Sequence, residues 1–369
     1  MKLSIAKEQL SHGLQTILNI VSSRSTLPVL SNVLLEGLDK RLTLTATDLD
    51  VTISCSVDAE IEEPGSITLP AKKFSGIVRE LASLDIDLKT DSKNFCIIQS
   101  GASFFKIHGL AAEEFPPIPT FTEQKKVALP QEKVRSMLKK TSYAVSNDES
   151  RYVLNGIYFS LKENKFLMVA TDGRRLALVD EEVEIPEDSH GEFIVPTKTI
   201  NELSRLLQSS GDVDIKFTES QVAISFVDEK KSDVLLISKL IDGTYPNYHQ
   251  VIPNELKERV SLAREELLQA LRRVEIMTSD KSSSAKLAFT ENNLTITTNS
   301  PEVGEARESI AVNYKGAEVS IAFNPGFLMD PLKVLDSDEV FLELTDELSP
   351  GVIKINAPFL YVIMPMRMT

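Results

Sequence analysis

The sequence predicts an α+β fold that is repeated three times along the chain, with two helices packed on one face of antiparallel sheet in each repeat. A strand-and-turn segment recurs as LTLTATDLDVTI at 42–53, FLMVATDGRRLALV at 166–179 and, more weakly, LTITTNSPEVGEA at 294–306. Internal repeats of this kind indicate one structural unit used several times.

Two further blocks recur in the same order after these segments. A strand followed by a helix is read from SITLPAKKFSGIVREL at 66–81, EFIVPTKTINELSRLL at 192–207 and VSIAFNPGFLMDPLKVL at 319–335. A strand-rich block then closes each repeat, beginning at residues 103, 235 and 359. The blocks together predict three domains, at 1–122, 123–254 and 255–369.

An earlier helix opens each repeat, because apolar residues there recur at spacings of three and four. The positions are Leu10, Leu14, Ile17 and Leu18 in the first repeat, Val134, Met137, Leu138 and Thr141 in the second, and Leu267, Leu268, Leu271 and Val274 in the third. Pro331 lies inside the last of the six predicted helices, where proline removes a hydrogen bond. Either this helix kinks, or it starts late with Asp330 as N-cap and Pro331 at its first position.

Composition indicates a soluble, cytoplasmic protein without a membrane partner. Hydrophobic residues make up 42% of the 369 residues, but no apolar run approaches the roughly 18 residues of a membrane span, and the first residues lack the apolar core of a signal peptide. Cys55 and Cys96 lie in alternating apolar segments that are typical of buried free thiols. The four histidines are scattered, so neither a metal site nor a cofactor is expected.

Positive charge is concentrated in the predicted helices. The chain has a formal net charge of −14, whereas the six helix windows together sum to +7. Lys72, Lys73 and Lys198 fall in first helical turns, where the helix dipole favours acids instead. Individually these are ordinary solvated lysines, but the repeated enrichment describes a layer of helices facing a polyanion.

Two repeated aspartates raise the alternative of an enzyme, such as an aspartate-dependent nuclease or nucleotidase. Asp48 and Asp172 occupy equivalent places, but the third copy has Asn299, and no nucleophile motif or phosphate-binding loop accompanies them. Acids at strand-to-turn junctions are more often turn formers that accept hydrogen bonds from their own backbone. A non-catalytic protein is therefore expected.

The chain closely resembles the family of DNA polymerase III beta subunits, the bacterial sliding clamps, over its whole length. The match is carried by RSTLPVLSNVLLE at 24–36, RYVLNG at 151–156, VATDGRRLA at 169–177, SKLIDGTYPNY at 238–248 and YVIMPMRM at 361–368. The resemblance implies three clamp domains and a head-to-tail homodimer that closes a ring, with helices lining the hole. It implies a processivity factor, because a ring that encircles duplex DNA is retained by topology rather than by strong phosphate affinity.

The resemblance also assigns residues to DNA and to the seam between two protomers. DNA contacts are implied at Arg24 and Tyr152, with Lys72, Lys73 and Lys198 as matching basic positions. The seam is heterologous, and its implied residues are Phe105, Ile107, Ile276, Met277, Glu302 and Glu305, with Glu308 on the same acidic side. Ala102 and Phe104 stand where arginine is familiar, so a more apolar and less salt-sensitive seam is expected.

A pocket that holds short peptides of partner proteins is implied as well. Its matching positions are Leu154, Thr171, Gly173, Arg174, Arg175, Leu176, Pro246, Val251, Met364, Pro365, Met366 and Arg367. The implied partners are the replicative polymerase catalytic subunit, the clamp loader, and other polymerases and repair proteins. Arg174, Gln250 and Ser282 depart from common family residues, so the peptide preference is expected to differ. The alternative from another class is a peptide-binding scaffold that never encircles DNA.

Overall fold

All six predicted helices are present. The computed structural model describes residues 1–22, 27–121, 125–253, 257–279 and 283–367. Within these ranges the helices are α1 Lys7–Ile17, α2 Ala71–Glu80, α3 Gln131–Thr141, α4 Thr197–Leu206, α5 Arg264–Glu275 and α6 Pro325–Val334. Short 3-10 turns connect some elements, among them Glu149–Leu154 and Tyr248–Val251.

The strands repeat in nearly the same order around these helices. In the first repeat they are β1 Lys2–Ala6, β2 Asn32–Leu38, β3 Arg41–Thr47, β4 Val51–Asp58, β5 Glu60–Glu63, β6 Gly65–Pro70, β7 Asp85–Thr90, β8 Phe95–Ser100 and β9 Ser103–His108. In the second they are β10 Lys125–Pro130, β11 Gly156–Lys162, β12 Lys165–Thr171, β13 Arg175–Glu182, β14 Gly191–Pro196, β15 Asp212–Phe217, β16 Gln221–Val227 and β17 Asp233–Lys239. In the third they are β18 Glu258–Ala263, β19 Ala285–Thr290, β20 Asn293–Ser300, β21 Gly304–Ala311, β22 Val319–Phe323, β23 Glu339–Leu344, β24 Gly351–Ile355 and β25 Ala357–Ile363.

The chain forms two compact units. The first contains residues 1–135, 186–190 and 201–240. It holds a five-stranded sheet in the order β5-β1-β7-β8-β9 and an eight-stranded sheet in the order β10-β15-β16-β17-β4-β3-β2-β6. The second unit contains residues 136–185, 191–200 and 241–369. Its sheets have the orders β14-β11-β12-β13-β25-β24-β23-β18 and β21-β20-β19-β22.

Within each eight-stranded sheet, strands of two successive repeats pair. In the first unit β4 pairs antiparallel with β17, placing Cys55 opposite Val234. In the second unit the equivalent strand β13 pairs with β25, placing Leu176 opposite Val362. The corresponding strands that remain, β9 and β21, are edge strands of the smaller sheets. Successive repeats are therefore joined by the same kind of strand pair.

Helix α6 corrects one expectation. It begins at Pro325, and the side chain of Asn324 caps it by accepting a hydrogen bond from the Phe327 N–H at 3.2 Å. The alternative of a late start, with Asp330 as N-cap, was wrong, because Asn324 supplies an earlier cap and Pro331 lies inside the helix.

The described residues include no helix that is long and apolar enough to cross a membrane. Across the same residues, no group of three or more histidine, cysteine or acidic side chains is arranged to hold a metal ion. Cys55 and Cys96 are buried free thiols, as the alternating strands predicted. Burial raises the pKa of Cys55 to about 11 and that of Cys96 to about 12.

Candidate functional site

The repeated aspartates build turns. The Asp172 carboxylate accepts hydrogen bonds from the N–H groups of Arg174 at 2.9 Å and Arg175 at 3.1 Å. The Asp48 carboxylate accepts from the N–H groups of Asp50 at 3.1 Å and Val51 at 2.8 Å. The interpretation of both acids as turn formers is thus confirmed.

Gly173 serves this turn and also makes room beside it. Its φ is +82°, and Leu49, at the equivalent place in the first repeat, has φ +79°. Both turns therefore need a left-handed residue, which glycine adopts without strain and leucine does not. A Cβ on Gly173 would lie only 2.7 Å from Nη1 of Arg151. The glycine thus lets the Arg151 guanidinium lie against the hairpin.

Arg175 is bonded within the chain. Its side chain is only 10% exposed. Its guanidinium donates to the carboxylates of Asp172, at 3.1 Å, and Asp330, and to the carbonyl oxygen of Tyr143, at 2.5 Å. It also lies over the Phe327 ring, 4.3 Å from the centroid. These contacts attach the hairpin turn to α6 and to the segment after α3.

The surroundings of Arg175 favour its charged form. Burial opposes the charge, but Tyr361 and Asp330 outweigh burial, so the pKa of Arg175 is raised above its ordinary value. Burial also raises the pKa of the neighbouring Tyr143 and Tyr361 hydroxyls, which stay protonated. The Arg175 guanidinium is thus a fixed positive charge, surrounded by neutral tyrosine hydroxyls and by the carboxylates of Asp172 and Asp330.

A compact apolar group, here called the hairpin cluster, lies beside this turn. Its buried members are Leu154, Val169, Leu176, Ile194, Tyr245, Val352 and Val362. Val153, Tyr248, Val251 and Ile252 are partly buried against it. The structure therefore brings together three of the residues that the resemblance assigned to the peptide pocket, Leu154, Leu176 and Val251.

The last described residues form hydrogen bonds with the hairpin and with β22. The Met364 N–H donates to the Arg174 carbonyl oxygen at 2.9 Å, and the Met366 N–H donates to that of Ala322 at 2.7 Å. Met364, Pro365 and Met366 are partly buried, whereas Arg174, Pro246 and Arg367 are exposed. Thr171 lies at the start of the turn, where its hydroxyl donates to the Arg175 carbonyl oxygen at 2.6 Å.

Several members of the hairpin cluster were not predicted as site residues. Val352 lies opposite Val362 in the β24–β25 pair, and Val362 lies opposite Leu176. Tyr245 stacks on Tyr158 with ring centroids 5.0 Å apart, and burial raises the pKa of Tyr245. Val352 and Val362 are buried strand residues and Tyr245 is a buried residue before the turn Tyr248–Val251, and burial does not by itself separate a binding surface from a core.

The predicted DNA-binding residues are exposed wherever the structure describes them. Lys72 and Lys73 lie in the first turn of α2, Lys198 lies in the first turn of α4, and Tyr152 is 57% exposed in the turn Glu149–Leu154. Arg24 lies outside the described residues, as does Ser282.

The predicted seam residues lie on or near the two edge strands. Phe105 and Ile107 belong to β9, Glu305 and Glu308 belong to β21, and Glu302 precedes β21. Ile276 and Met277 follow α5, and Ile276 is highly exposed. Phe104 is 60% exposed on β9.

Glu308 already has a partner in its own chain. Arg273 donates to its two carboxylate oxygens at 2.9 and 2.7 Å. This hydrogen bond holds the pKa of Glu308 below its ordinary value.

Three family models match the chain in succession. They describe the N-terminal, central and C-terminal domains of the DNA polymerase III beta subunit and match residues 1–119, 128–247 and 249–367. The chain belongs to the DNA polymerase III beta subunit family. The α+β class and the three clamp domains are thereby confirmed.

Individual relatives agree along the full length. The chain is 36% identical over 368 residues to the beta sliding clamp of Chlamydia pneumoniae, covering 100% of this chain and 99% of that one. It is 32% identical over 381 residues to the beta sliding clamp of Bacillus subtilis, covering 100% of both. A Pseudomonas aeruginosa sliding clamp solved bound to griselimycin superposes with a TM-score of 0.94 at 34% identity, covering 100% of both chains.

Proposed function

We propose that two copies of this protein form a head-to-tail ring that encircles duplex DNA and tethers partner proteins through the hairpin cluster. As a family member, the protein is a sliding clamp and processivity factor of DNA polymerase III, and it is not a catalytic subunit. The ring, the residues that carry it and the named partners are our proposal.

The main support for the ring is a pair of edge strands, β9 and β21, whose equivalents in the other repeats pair with each other within the chain. Two of the three equivalent strand junctions are made within the chain, β4 with β17 and β13 with β25. The third would join β21 to β9, and both are edge strands. An exposed edge is a template for pairing with another chain. Pairing β21 of one copy with β9 of the next completes the series, and a second such contact closes a dimer.

The helices are proposed to line the hole of this ring. Exposed lysines in the first turns of α2 and α4 place positive charge where the helix dipole does not favour it, and a polyanion outside the helices would stabilise that charge. Lys72, Lys73, Lys198 and Tyr152 are the proposed contacts, together with Arg24. Phosphate supplies that anion without sequence preference, which suits a protein that slides.

The hairpin cluster and the residues around it are proposed to bind extended peptides. Partly buried Val153 and Val251 pack against the buried residues of the hairpin cluster, and Met364 and Met366, also partly buried, follow β25. Methionine side chains repack easily, so they can move aside for apolar peptide side chains. Exposed Arg174 and Arg367 can meet the polar part of such a peptide. Because Leu176 is 2% exposed, peptide entry requires this rearrangement.

The proposed peptide donors are the replicative polymerase catalytic subunit, the clamp loader, and other polymerases and repair proteins. A ring must be opened to receive circular DNA, which makes a loader necessary. The proposed location is the cytoplasm, where bacterial DNA is replicated.

Retention on circular DNA tests the ring directly. Protein loaded on a nicked circular plasmid should stay bound through gel filtration in salt and leave when the plasmid is linearised. Release that is independent of linearisation would instead support a peptide-binding scaffold.

Charge reversal of Arg24, Lys72 and Lys198 together should reduce loading or retention, because it places acids against phosphate. Charge reversal of exposed Lys286 on β19 is the matched control. Unchanged retention in the triple variant would refute the lining assignment.

A further inference from the structure

The second unit contains an open cavity of about 650 Å³ beside the turn Glu149–Leu154. Its lining combines polar and charged side chains with one aromatic ring and with the apolar Pro196 and Ile241, whereas the hairpin cluster is apolar. The residues around it are Ser146, Asn147, Tyr152, Asn155, Pro196, Thr197, Lys198, Ile241 and Asp242. This volume is enough for a nucleobase with its sugar.

Tyr152 forms one wall of the cavity and lies close to Gly243. Gly243 has φ +126°, and a Cβ there would lie 3.4 Å from the Tyr152 hydroxyl oxygen and 2.9 Å from a Val153 methyl carbon. The turn thus packs closely on residues 241–243, while the Tyr152 side chain remains 57% exposed. An exposed aromatic face at the edge of a cavity can serve as a stacking platform for a base.

Asn155 joins two walls of the same cavity. Its backbone carbonyl accepts hydrogen bonds from the Thr197 N–H at 3.0 Å and hydroxyl at 2.6 Å, which joins the turn to the start of α4. Its side-chain oxygen Oδ1 is buried and accepts no hydrogen bond from any described residue. Asn155 therefore holds the turn against the start of α4, so that Tyr152 and Lys198 line the same cavity.

The charged groups of the lining suit a nucleotide. Lys198 places a positive charge at the cavity, which suits a phosphate, and the Asp242 carboxylate can accept a hydrogen bond from the amino group of a base. Tyr152 offers a face to the ring of the base. A duplex cannot present a base edge and a ring face together, because its bases are stacked, whereas an unpaired base can.

We propose that this cavity binds one unpaired nucleobase of the encircled DNA, stacked on Tyr152. The proposal rests on the proposed function, because the ring brings DNA to this wall. It gives the protein a preference for DNA that contains an extrahelical or single-stranded nucleotide over fully paired duplex. Such a nucleotide occurs where a primer end meets its template.

A bulged duplex tests the proposal. The probe is a short linear duplex with one extrahelical 2-aminopurine, which can enter the ring without a loader; its paired counterpart of equal length is the reference. Wild-type protein should bind the bulged duplex about fivefold or more tightly than the reference, as expected from base–aromatic stacking, and should quench the 2-aminopurine fluorescence. Tyr152→Phe should keep both effects, and Tyr152→Leu should lose both.

The lysine variants add a second, independent arm. Lys198→Ala should reduce the preference for the bulge, whereas Lys286→Ala, which removes an exposed lysine on β19, should leave it unchanged. Equal affinity of the wild type for the two duplexes, or a preference that persists in Tyr152→Leu, would overturn the proposal. Retention of wild-type protein on nicked circular plasmid is measured in parallel. If the protein is retained on the plasmid but shows no preference for the bulged duplex, the proposal of nucleobase binding is rejected and the proposal of a ring is still supported.

Discussion

The Tyr361 hydroxyl donates a hydrogen bond to the Phe327 carbonyl oxygen at 2.8 Å. In a regular helix this carbonyl would accept from the N–H of residue 331, four positions later, but residue 331 is proline. A strand-borne tyrosine thus replaces the hydrogen bond that proline removes. This explains how α6 continues through Pro331.

Tyr361→Phe should therefore destabilise the protein by about 1–3 kcal/mol, because it leaves a carbonyl of α6 without a donor. In a Pro331→Ala background the same change should cost less, since alanine restores the N–H. Urea unfolding of the two single variants and the double variant forms a double-mutant cycle. An equal cost of Tyr361→Phe in both backgrounds would show that the hydroxyl does not compensate for proline.

Replacing each of the two adjacent arginines of the hairpin should affect stability to a different extent. Arg174 is exposed, whereas Arg175 donates to Asp172, Asp330 and Tyr143. Arg175→Ala should lower the free energy of unfolding by about 3 kcal/mol, because it removes the cation paired with partly buried Asp172 and leaves Asp330 with Lys333 alone. Arg174→Ala should leave stability within about 0.5 kcal/mol.

Peptide binding tests the proposed pocket separately from stability. Arg174→Ala should weaken binding of a fluorescent partner peptide without affecting the fold, while Leu176→Ala and Met364→Ala should weaken binding by removing apolar contact. Competition assays with folded variants measure this. Wild-type affinity in both Leu176→Ala and Met364→Ala proteins would place the peptide elsewhere.

The hairpin shows what could be foreseen from the sequence. The role of Asp172 was predictable because a second copy of the same turn occurs at Asp48. The contacts of Arg175 were not predictable, because Asp330 and Phe327 are more than 150 residues away and belong to another repeat. Local pattern identifies the turn, but long-range packing decides which arginine is buried.

Pro331 and the hairpin cluster illustrate the same limit. The sequence marked Pro331 as a break, and the donor that compensates lies on a strand 34 residues from the carbonyl it satisfies. Leu154, Leu176 and Val251 were assigned by resemblance, and the structure groups them. The positions of Tyr245 and Val352 in this cluster depend on ring stacking with Tyr158 and on the register of β24 with β25. Neither could be predicted from the local sequence pattern.

The two left-handed turn positions offer a paired stability test. Leu49→Gly should raise the free energy of unfolding by about 1 kcal/mol, because glycine relieves the left-handed conformation. Gly173→Ala should lower it by at least about 1 kcal/mol, because it introduces strain and displaces Arg151. Urea midpoints measure both. Destabilisation by Leu49→Gly would mean that contacts of the leucine side chain outweigh its strain.

The proposed seam should depend little on salt. Glu308 is paired with Arg273 in its own chain, and Phe104 on β9 is an exposed aromatic side chain. Phe104→Ala should weaken the dimer about 30-fold, as truncation of an aromatic hot spot does. Sedimentation of dilution series at low and high salt measures the dimer constant. Phe104→Arg, which adds a charge opposite acidic β21, should gain salt dependence; a steep dependence already in the wild type would contradict an apolar seam.

The buried thiols should make stability fall at alkaline pH. The pKa of Cys55 is raised to about 11 and that of Cys96 to about 12 by burial, whereas unfolded thiols ionise near pH 8.5. Above that pH the folded state binds more protons than the unfolded state, so the free energy of unfolding decreases as pH rises. The decrease should reach about 1.4 kcal/mol per pH unit for each thiol between roughly pH 9 and 11.

Urea unfolding from pH 8 to 10 should show the wild type losing stability faster than a Cys55→Ala, Cys96→Ala double variant, in which the other titrating groups are unchanged. Parallel losses in the two proteins would mean that the thiols ionise equally in both states.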